Sequence, residues 1–277
     1  MSQDALQQCY GDKTIAIVGA AGGIGRELAH QCSQFTDKLL FLGRNVEKLK
    51  ALSNEIPHSR FFKTDITNET EIRHTIDAIE KEVGPIDISF NLAAVDYFIR
   101  FEDMRLEEIT ETCRINFEGS ILYTHAILKK MMQRKMGIIV NACAYSNGNV
   151  AFPFFAVDSA SRAGFASFYR SLRKELHANY PHIRFVLFSP PPTDTEAERS
   201  RDSSKVWKKL KMELHDPKEL VSSILFKTAR GQDEIMGIPE RALWWIDRFS
   251  TKLSKLIFMN RYQRFCCQVL DENKIIP

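Results

Sequence analysis

The stretch "AYSNGNVAFPFFAVDSASRAGF", residues 144 to 165, holds side chains able to do chemistry. Asp158 and Arg162 stand four residues apart, so on a helix a carboxylate and a guanidinium share one face, one turn apart. An ionised aspartate beside an arginine accepts hydrogen bonds and has no proton to donate. Tyr145 adds a phenol, a proton donor if it points into a pocket and a pocket wall if it packs among Phe152, Phe154 and Phe155. Far upstream, "VGAAGGIG" (18 to 25) supplies another kind of chemistry. Gly19 permits a tight turn, Gly23 lets the backbone approach a pyrophosphate, and Gly25 allows close packing of a helix whose N-terminus faces the anion.

Alternating elements must position these groups. Short apolar runs at 14 to 19, 38 to 43, 59 to 65, 86 to 93, 137 to 143, 183 to 189 and 234 to 238 read as seven strands. Amphipathic segments at 24 to 35, 45 to 55, 68 to 83, 106 to 133, 158 to 179 and 216 to 229 read as the helices between them, with Asn68 and Asp216-Pro217 as starts. This alternation predicts an α/β fold, a single Rossmann-like doubly wound domain with helices on both faces of a parallel sheet and the ligand site at the strands' carboxyl ends.

No repeat or low-complexity linker divides the 277 residues, so one domain is expected over 1–277. The six cysteines form no CxxC pair and no zinc spacing, so no metal site is expected and the thiols should be reduced. The opening "MSQDALQQCYGDK" has neither the basic nor the apolar region of a secretory signal, and no apolar run is long enough to span a bilayer; a cytoplasmic location is expected. Residues 239 to 277 carry seven Lys/Arg against four Asp/Glu, which accounts for the whole net charge of +3. No basic groove with interleaved aromatics is present, so nucleic acid is not an expected partner.

Several further motifs fall in order on the expected elements: "FLGRN" after the second strand, "TDIT" after the third, "NLAA" after the fourth, "INFEGS" in the long fourth-to-fifth connection and "SPPPTDT" after the sixth. With the Gly-x-x-x-Gly-x-Gly spacing of 19, 23 and 25, these resemble the short-chain dehydrogenase/reductase family over a core of about 12–238, the rest being a basic amphipathic helical extension, 239–277. The resemblance implies a nicotinamide nucleotide held by Gly19, Gly23, Ile24 and Gly25. Asp65 and Ile66 would contact the adenine, Asn91 and Ala93 would support the nucleotide, and Pro190 with Thr195 would lie beside the nicotinamide. Gly43-Arg44 leaves room for a phosphate and offers it a charged donor fork, which favours NADP(H) over NAD(H). The family also implies a homodimer or homotetramer built on the 106 to 133 and 158 to 179 helices.

Departures from the family are specific. Val18 replaces its usual Thr, Leu92 and Ala94 replace the second Asn and the Gly of an Asn-Asn-Ala-Gly motif, and Pro191 replaces the Gly of a Pro-Gly turn. By the resemblance, Asn116 matches the asparagine that holds a catalytic water, whereas Asp158 stands at the tyrosine and Arg162 at the lysine, where it could still hydrogen-bond a ribose. The serine position falls on Ala144 or Tyr145, depending on register. Three functions stay open: an atypical oxidoreductase on a bulky apolar carbonyl or alcohol, with Tyr97, Phe98 and the "FPFF" aromatics near its pocket; a catalytically inactive nucleotide-binding or regulatory member; and non-redox, dehalogenase-like chemistry suggested by Arg162.

The segment 239 to 267 interleaves apolar residues with Arg241, Arg248, Lys252, Lys255, Arg261 and Arg264. Such a helix either docks on the domain or on a neighbouring subunit, or contacts a membrane peripherally through 241–264, or lines the entrance for a lipophilic small molecule.

Overall fold

The structure is a computed structural model that describes residues 3–143 and 145–274, apart from the side chains of 145, 146, 238–240, 273 and 274. Seven parallel strands form one sheet in the order β3-β2-β1-β4-β5-β6-β7. They are β1 (Ile15–Val18), β2 (Leu39–Gly43), β3 (Arg60–Lys63), β4 (Ile88–Asn91), β5 (Gly137–Ala142), β6 (Ile183–Phe188) and β7 (Glu234–Ile235). Successive strand residues feed opposite faces, as the period of two requires. Ala16, Val18, Leu40, Leu42, Phe185 and Leu187 enter one core, while Ile15, Ile17, Leu39, Phe41, Val186 and Phe188 enter the other.

The first core is covered by α4 (Glu69–Glu82), α6 (Ser120–Arg134) and α7 (Ala156–Leu176), through residues such as Ile76, Tyr123 and Phe165. The second is covered by α1 (Gln3–Tyr10), α2 (Gly23–Cys32), α3 (Val46–Glu55) and α10 (Pro217–Ala229). Helix starts follow local chemistry: Asn45 accepts from the Lys48 N–H, Asn68 from those of Thr70 and Glu71, and Asp216 from that of Lys218, each satisfying a first-turn donor. Because the order reverses between β1 and β4, the crevice for a ligand opens at their carboxyl ends.

Some elements differ from the sequence expectation. The helix expected over 106 to 133 is two helices, α5 (Leu106–Cys113) and α6, joined by a π turn at Arg114–Gly119. A side chain at Gly119 would collide with the carbonyl oxygens of Arg114 and Ile66, so the glycine lets this wider turn press against the loop after β3. Only two residues of the last expected strand pair, because the chain turns into α11 (Ile238–Phe249) from Gly237. Helix α1 was not anticipated; it is anchored by buried Tyr10, whose hydroxyl donates to the Leu225 carbonyl at 2.9 Å. After β6, α8 (Glu196–Arg199) and α9 (Ser203–Lys209) also add to the expected set.

The C-terminal stretch is not one helix. It continues from α11 into α12 (Thr251–Ser254), a π turn at Lys255–Met259 and α13 (Asn260–Lys274), after a break at extended Ser250. Tyr262, Cys266 and Val269 of α13 bury against Val206, Trp207 and Leu210 of α9 and its end, forming a third apolar cluster.

Candidate functional site

A cavity of about 330 Å³ lies at the carboxyl ends of β1, β4, β5 and β6. Gly19, Gly22 and Gly23 form one end, Asp158, Ser159 and Arg162 of α7 another side, and Trp207 with Tyr262 belong to the overlying helices. The loop from Pro190 to Thr195 closes over the glycines.

The glycine turn has the steric character its spacing suggests. Gly19 has φ +78, a left-handed conformation that side chains disfavour. A methyl group on Gly25 would run into the Gly19 carbonyl, so α2 can start close to β1 only with glycine there. Gly22 is the N-cap of α2 and gives no side-chain cap, which leaves first-turn N–H groups to a ligand at the cavity. At Gly23 the close neighbour is Thr195, whose Cβ and methyl occupy the space a side chain would need. A nucleotide pyrophosphate fits this donor set, with Gly22, Gly23 and Ile24 lining the cavity.

The residues assigned to the adenosine half spread over several surroundings. Asn91 is buried; its Nδ2 donates to Ser120 Oγ at 3.2 Å and its Oδ1 accepts from the Ala93 N–H at 3.2 Å. These two residues hold the loop after β4, while Leu92 and Ala94 reach the cavity wall. Asp65 Oδ1 accepts from the Thr67 N–H and hydroxyl at 2.9 and 2.8 Å, so this carboxylate closes its own turn. Ile66 is a core residue. Arg44 lies 3.6 Å from Glu111 and shares an open groove with Thr67, Glu107 and Arg114.

At the α7 end, polar atoms satisfy one another. Arg162 Nε donates to Asp158 Oδ1 at 2.8 Å, and Asn116 Nδ2 donates to the same oxygen at 3.0 Å. Asn116, carried inward by the π turn, also donates to the Val95 carbonyl at 2.7 Å and accepts from the Val95 N–H at 2.9 Å. Asp158 Oδ1 is therefore an acceptor in a nearly dry ion pair. Burial pulls the Arg162 guanidinium down, but Asp158, Cys143 and Asp96 together raise it above its ordinary value, so it stays charged. Ser159 Oγ accepts from the Phe152 N–H at 3.3 Å, which ties the "FPFF" loop to α7. Ala144 and the side chain of Tyr145 lie outside the described residues.

One expectation about the aromatics is corrected. Phe152 and Phe155 line the cavity, but Tyr97 faces a separate small pocket and donates to Glu111 Oε2 at 2.6 Å. That hydrogen bond, with burial and the carboxylate charge, pushes its phenol up to about 12. Phe98 packs on Phe154 and Phe155, inside the third apolar cluster.

Several lining groups escaped sequence reasoning. Asp96 is pushed up by burial, against the pull of Arg201, whose Nη1 lies 2.7 Å from its Oδ1 without hydrogen-bond alignment. Glu198 accepts from Trp207 Nε1 at 2.9 Å and Ser203 Oγ at 3.1 Å. The sequence signal for Asp96 was its place just past "NLAA"; the amphipathic patterns around Trp207 and Tyr262 indicate burial and not which cavity they cover.

Comparisons with known proteins agree with this architecture. A family model described as short chain dehydrogenase matches residues 13–205. Carbonyl reductase family member 4 of Xenopus laevis is 29% identical over 216 residues, spanning 77% of this chain and 90% of that protein. Dehydrogenase/reductase SDR family member 7B of Mus musculus is 30% identical over 184 residues, spanning 64% of this chain and 56% of that one. A short chain dehydrogenase from Burkholderia cenocepacia J2315, solved in complex with NADP, superposes with a TM-score of 0.74 at 22% identity, covering 88% of this chain and 97% of that one.

Proposed function

Because the chain belongs to the short chain dehydrogenase family, we propose that it binds a nicotinamide dinucleotide, NADP(H) in preference to NAD(H), and acts as an atypical oxidoreductase on a bulky apolar carbonyl or alcohol. The observation that carries this reading is continuity: one cavity runs from Gly19, Gly22 and Gly23 to an apolar wall of Phe152, Phe155, Trp207 and Tyr262. When bound, the nicotinamide supplies or accepts a hydride. The first turn of α2 holds the phosphates, Arg162 presents a guanidinium to a hydroxyl, and Arg44 with Arg114 flanks the groove suited to an added phosphate. Asp158, engaged by Arg162 and Asn116, is an acceptor and not the proton donor of this scheme. We assign that role to Asp96, which lines the same cavity and whose carboxyl is pushed up by burial against the pull of Arg201.

The same Asp158 geometry favours a second reading, a nucleotide-binding or regulatory member that has lost proton transfer. Two measurements separate them: NADPH titration by fluorescence, and NADPH oxidation over a panel of apolar aldehydes and ketones. The first reading expects both, with Asp96→Asn lowering turnover about 100-fold or more while binding persists. Tight binding without oxidation by any carbonyl in the panel favours the second, and absence of nucleotide binding defeats both.

A further inference from the structure

The segment from Arg241 to Ile257 has an apolar face that the other described residues leave uncovered. Trp245 is 49% exposed, Phe249 78%, Leu253 44%, Leu256 75% and Ile257 58%. Trp245 and Phe249 are four residues apart in α11, and Leu253 stands three and four residues before Leu256 and Ile257 across α12 and the π turn, so each short piece presents an apolar ridge. Trp245 stacks on Phe249 with ring centroids 5.4 Å apart and planes at 9°, which consolidates the ridge without burying it. By contrast α13, a few residues later, buries Tyr262, Cys266 and Val269 completely or nearly so.

Charge distinguishes between the occupants such a ridge could have. Arg248, Lys252 and Lys255 each directly precede an exposed apolar residue, Phe249, Leu253 and Leu256. One residue turns a helix by about 100°, so a cationic row flanks the apolar row. Between 241 and 261 the chain carries five Lys/Arg against one acidic residue, Asp247, and all five basic residues are exposed. A twofold pairing of this face with a second copy would bring these cations together with only Asp247 of each copy to answer them. An anionic bilayer satisfies both rows: the apolar side chains enter the acyl boundary, the long basic ones reach phosphates, and the tryptophans sit at headgroup level. Among the described residues no helix is long and apolar enough to cross a membrane, so the contact would be superficial.

We propose that the outer face of Arg241–Ile257 docks on a membrane surface rich in anionic headgroups. The position has a consequence for the cavity. In the same π turn that exposes Leu256 and Ile257, Phe258 turns inward and stacks on Tyr262, ring centroids 5.7 Å apart, and Tyr262 lines the cavity. Docking therefore brings the covering of the cavity to the lipid boundary, where an apolar ligand is concentrated. This proposal goes beyond the nucleotide chemistry and is read out independently of it.

The test is flotation of the full chain with vesicles of phosphatidylcholine alone or mixed with phosphatidylglycerol. The expected result is binding to the mixed vesicles at least about tenfold stronger than to neutral ones, weakened by salt, with Lys252→Gln and Lys255→Gln each reducing it by about fivefold. Phe249→Glu with Leu256→Glu should abolish flotation while leaving the melting temperature and NADPH affinity unchanged, since both side chains are mostly exposed. Absence of flotation, equal binding to both vesicle types, or undiminished binding by the Glu double variant overturns the proposal. So does self-association in sedimentation velocity that the double variant removes, without vesicle binding; that outcome assigns the face to a second copy.

Discussion

At the β1 end of the cavity, first-turn N–H groups of α2 lack a side-chain cap behind Gly22, whereas at the α7 end Asp158, Arg162 and Asn116 are bonded to one another and to Val95. At the first end those donors have no side-chain cap among the described residues, and glycines keep the turn beside them tight. The second is built to hold itself, since Asp158 Oδ1 already takes two donors. In the family this chain belongs to, the resemblance assigns proton handling to that second end. An ion pair of this kind can brace a wall, and its remaining guanidinium edge can bind a ligand.

The sharpest way to break this contrast is to remove one partner of the pair. Arg162→Met leaves the Asp158 carboxylate nearly buried with only Asn116 beside it, and should cost about 3–5 kcal/mol of stability in urea unfolding. Adding Asp158→Asn should restore most of that loss. A cost below about 1 kcal/mol for Arg162→Met would mean a solvated pair and no brace. At the opposite end, Gly25→Ala forces a methyl against the Gly19 carbonyl, and a cost of about 1–3 kcal/mol with loss of NADPH binding is expected. Full nucleotide affinity in Gly25→Ala would show that the α2 N-terminus is not where the anion is held.

The contrast was partly legible in the sequence, for physical reasons that differ by residue. Strands announced themselves because both faces of the sheet are covered, so runs such as "IAIV" and "FVLF" are apolar throughout. The pairing of Asp158 with Arg162 followed from four-residue spacing, a local rule. Asn116 was brought to the same site by the resemblance, but its direct bond to Asp158 did not follow from spacing, because 42 residues and a π turn separate them and nothing in "INFEGS" marks the helix break except Gly119. Tyr97 was drawn to the pocket by its type and instead found Glu111, a partner fixed only by tertiary packing. The aromatic cover from Trp207 and Tyr262 was invisible for the same reason: periodicity tells which face of a helix is buried and not what it is buried against.

A smaller effect should come from the network that pins the wall next to α7. Arg170 donates to both carboxylate oxygens of Glu234 at 2.9 and 3.0 Å, and to the Asn147 carbonyl at 3.4 Å, tying α7 and β7 to the turn Tyr145–Gly148. The Arg170 hydrogen bond and charge hold the Glu234 carboxyl below its ordinary value, against the effect of burial. A folded-state value below the unfolded one gives stability that is present above the unfolded pKa, about 4.3, and is lost as pH falls through the folded one. Arg170→Met should therefore cost about 1–2 kcal/mol at neutral pH and progressively less in acid, as followed by unfolding at a series of pH values. A cost independent of pH would show that the arginine acts by packing.

The smallest expected effect concerns cofactor choice, where the receiving end meets the open groove. Arg44 is 60% exposed and only 3.6 Å from Glu111, so its side chain is loosely held and free to turn toward an added phosphate at little cost. Arg44→Ala should weaken NADPH binding by about fivefold and leave NADH binding nearly unchanged, because a surface contact to a phosphate is worth on the order of 1 kcal/mol. Glu111→Gln should act in the opposite direction, freeing Arg44 and removing a negative charge from the groove. It would also replace the carboxylate that holds the Tyr97 phenol up at about 12, so a downward shift in the tyrosinate titration checks that the groove has been altered as intended. Equal losses of NADPH and NADH on Arg44→Ala would place this arginine at the ribose or adenine common to both and remove the basis for an NADP(H) preference.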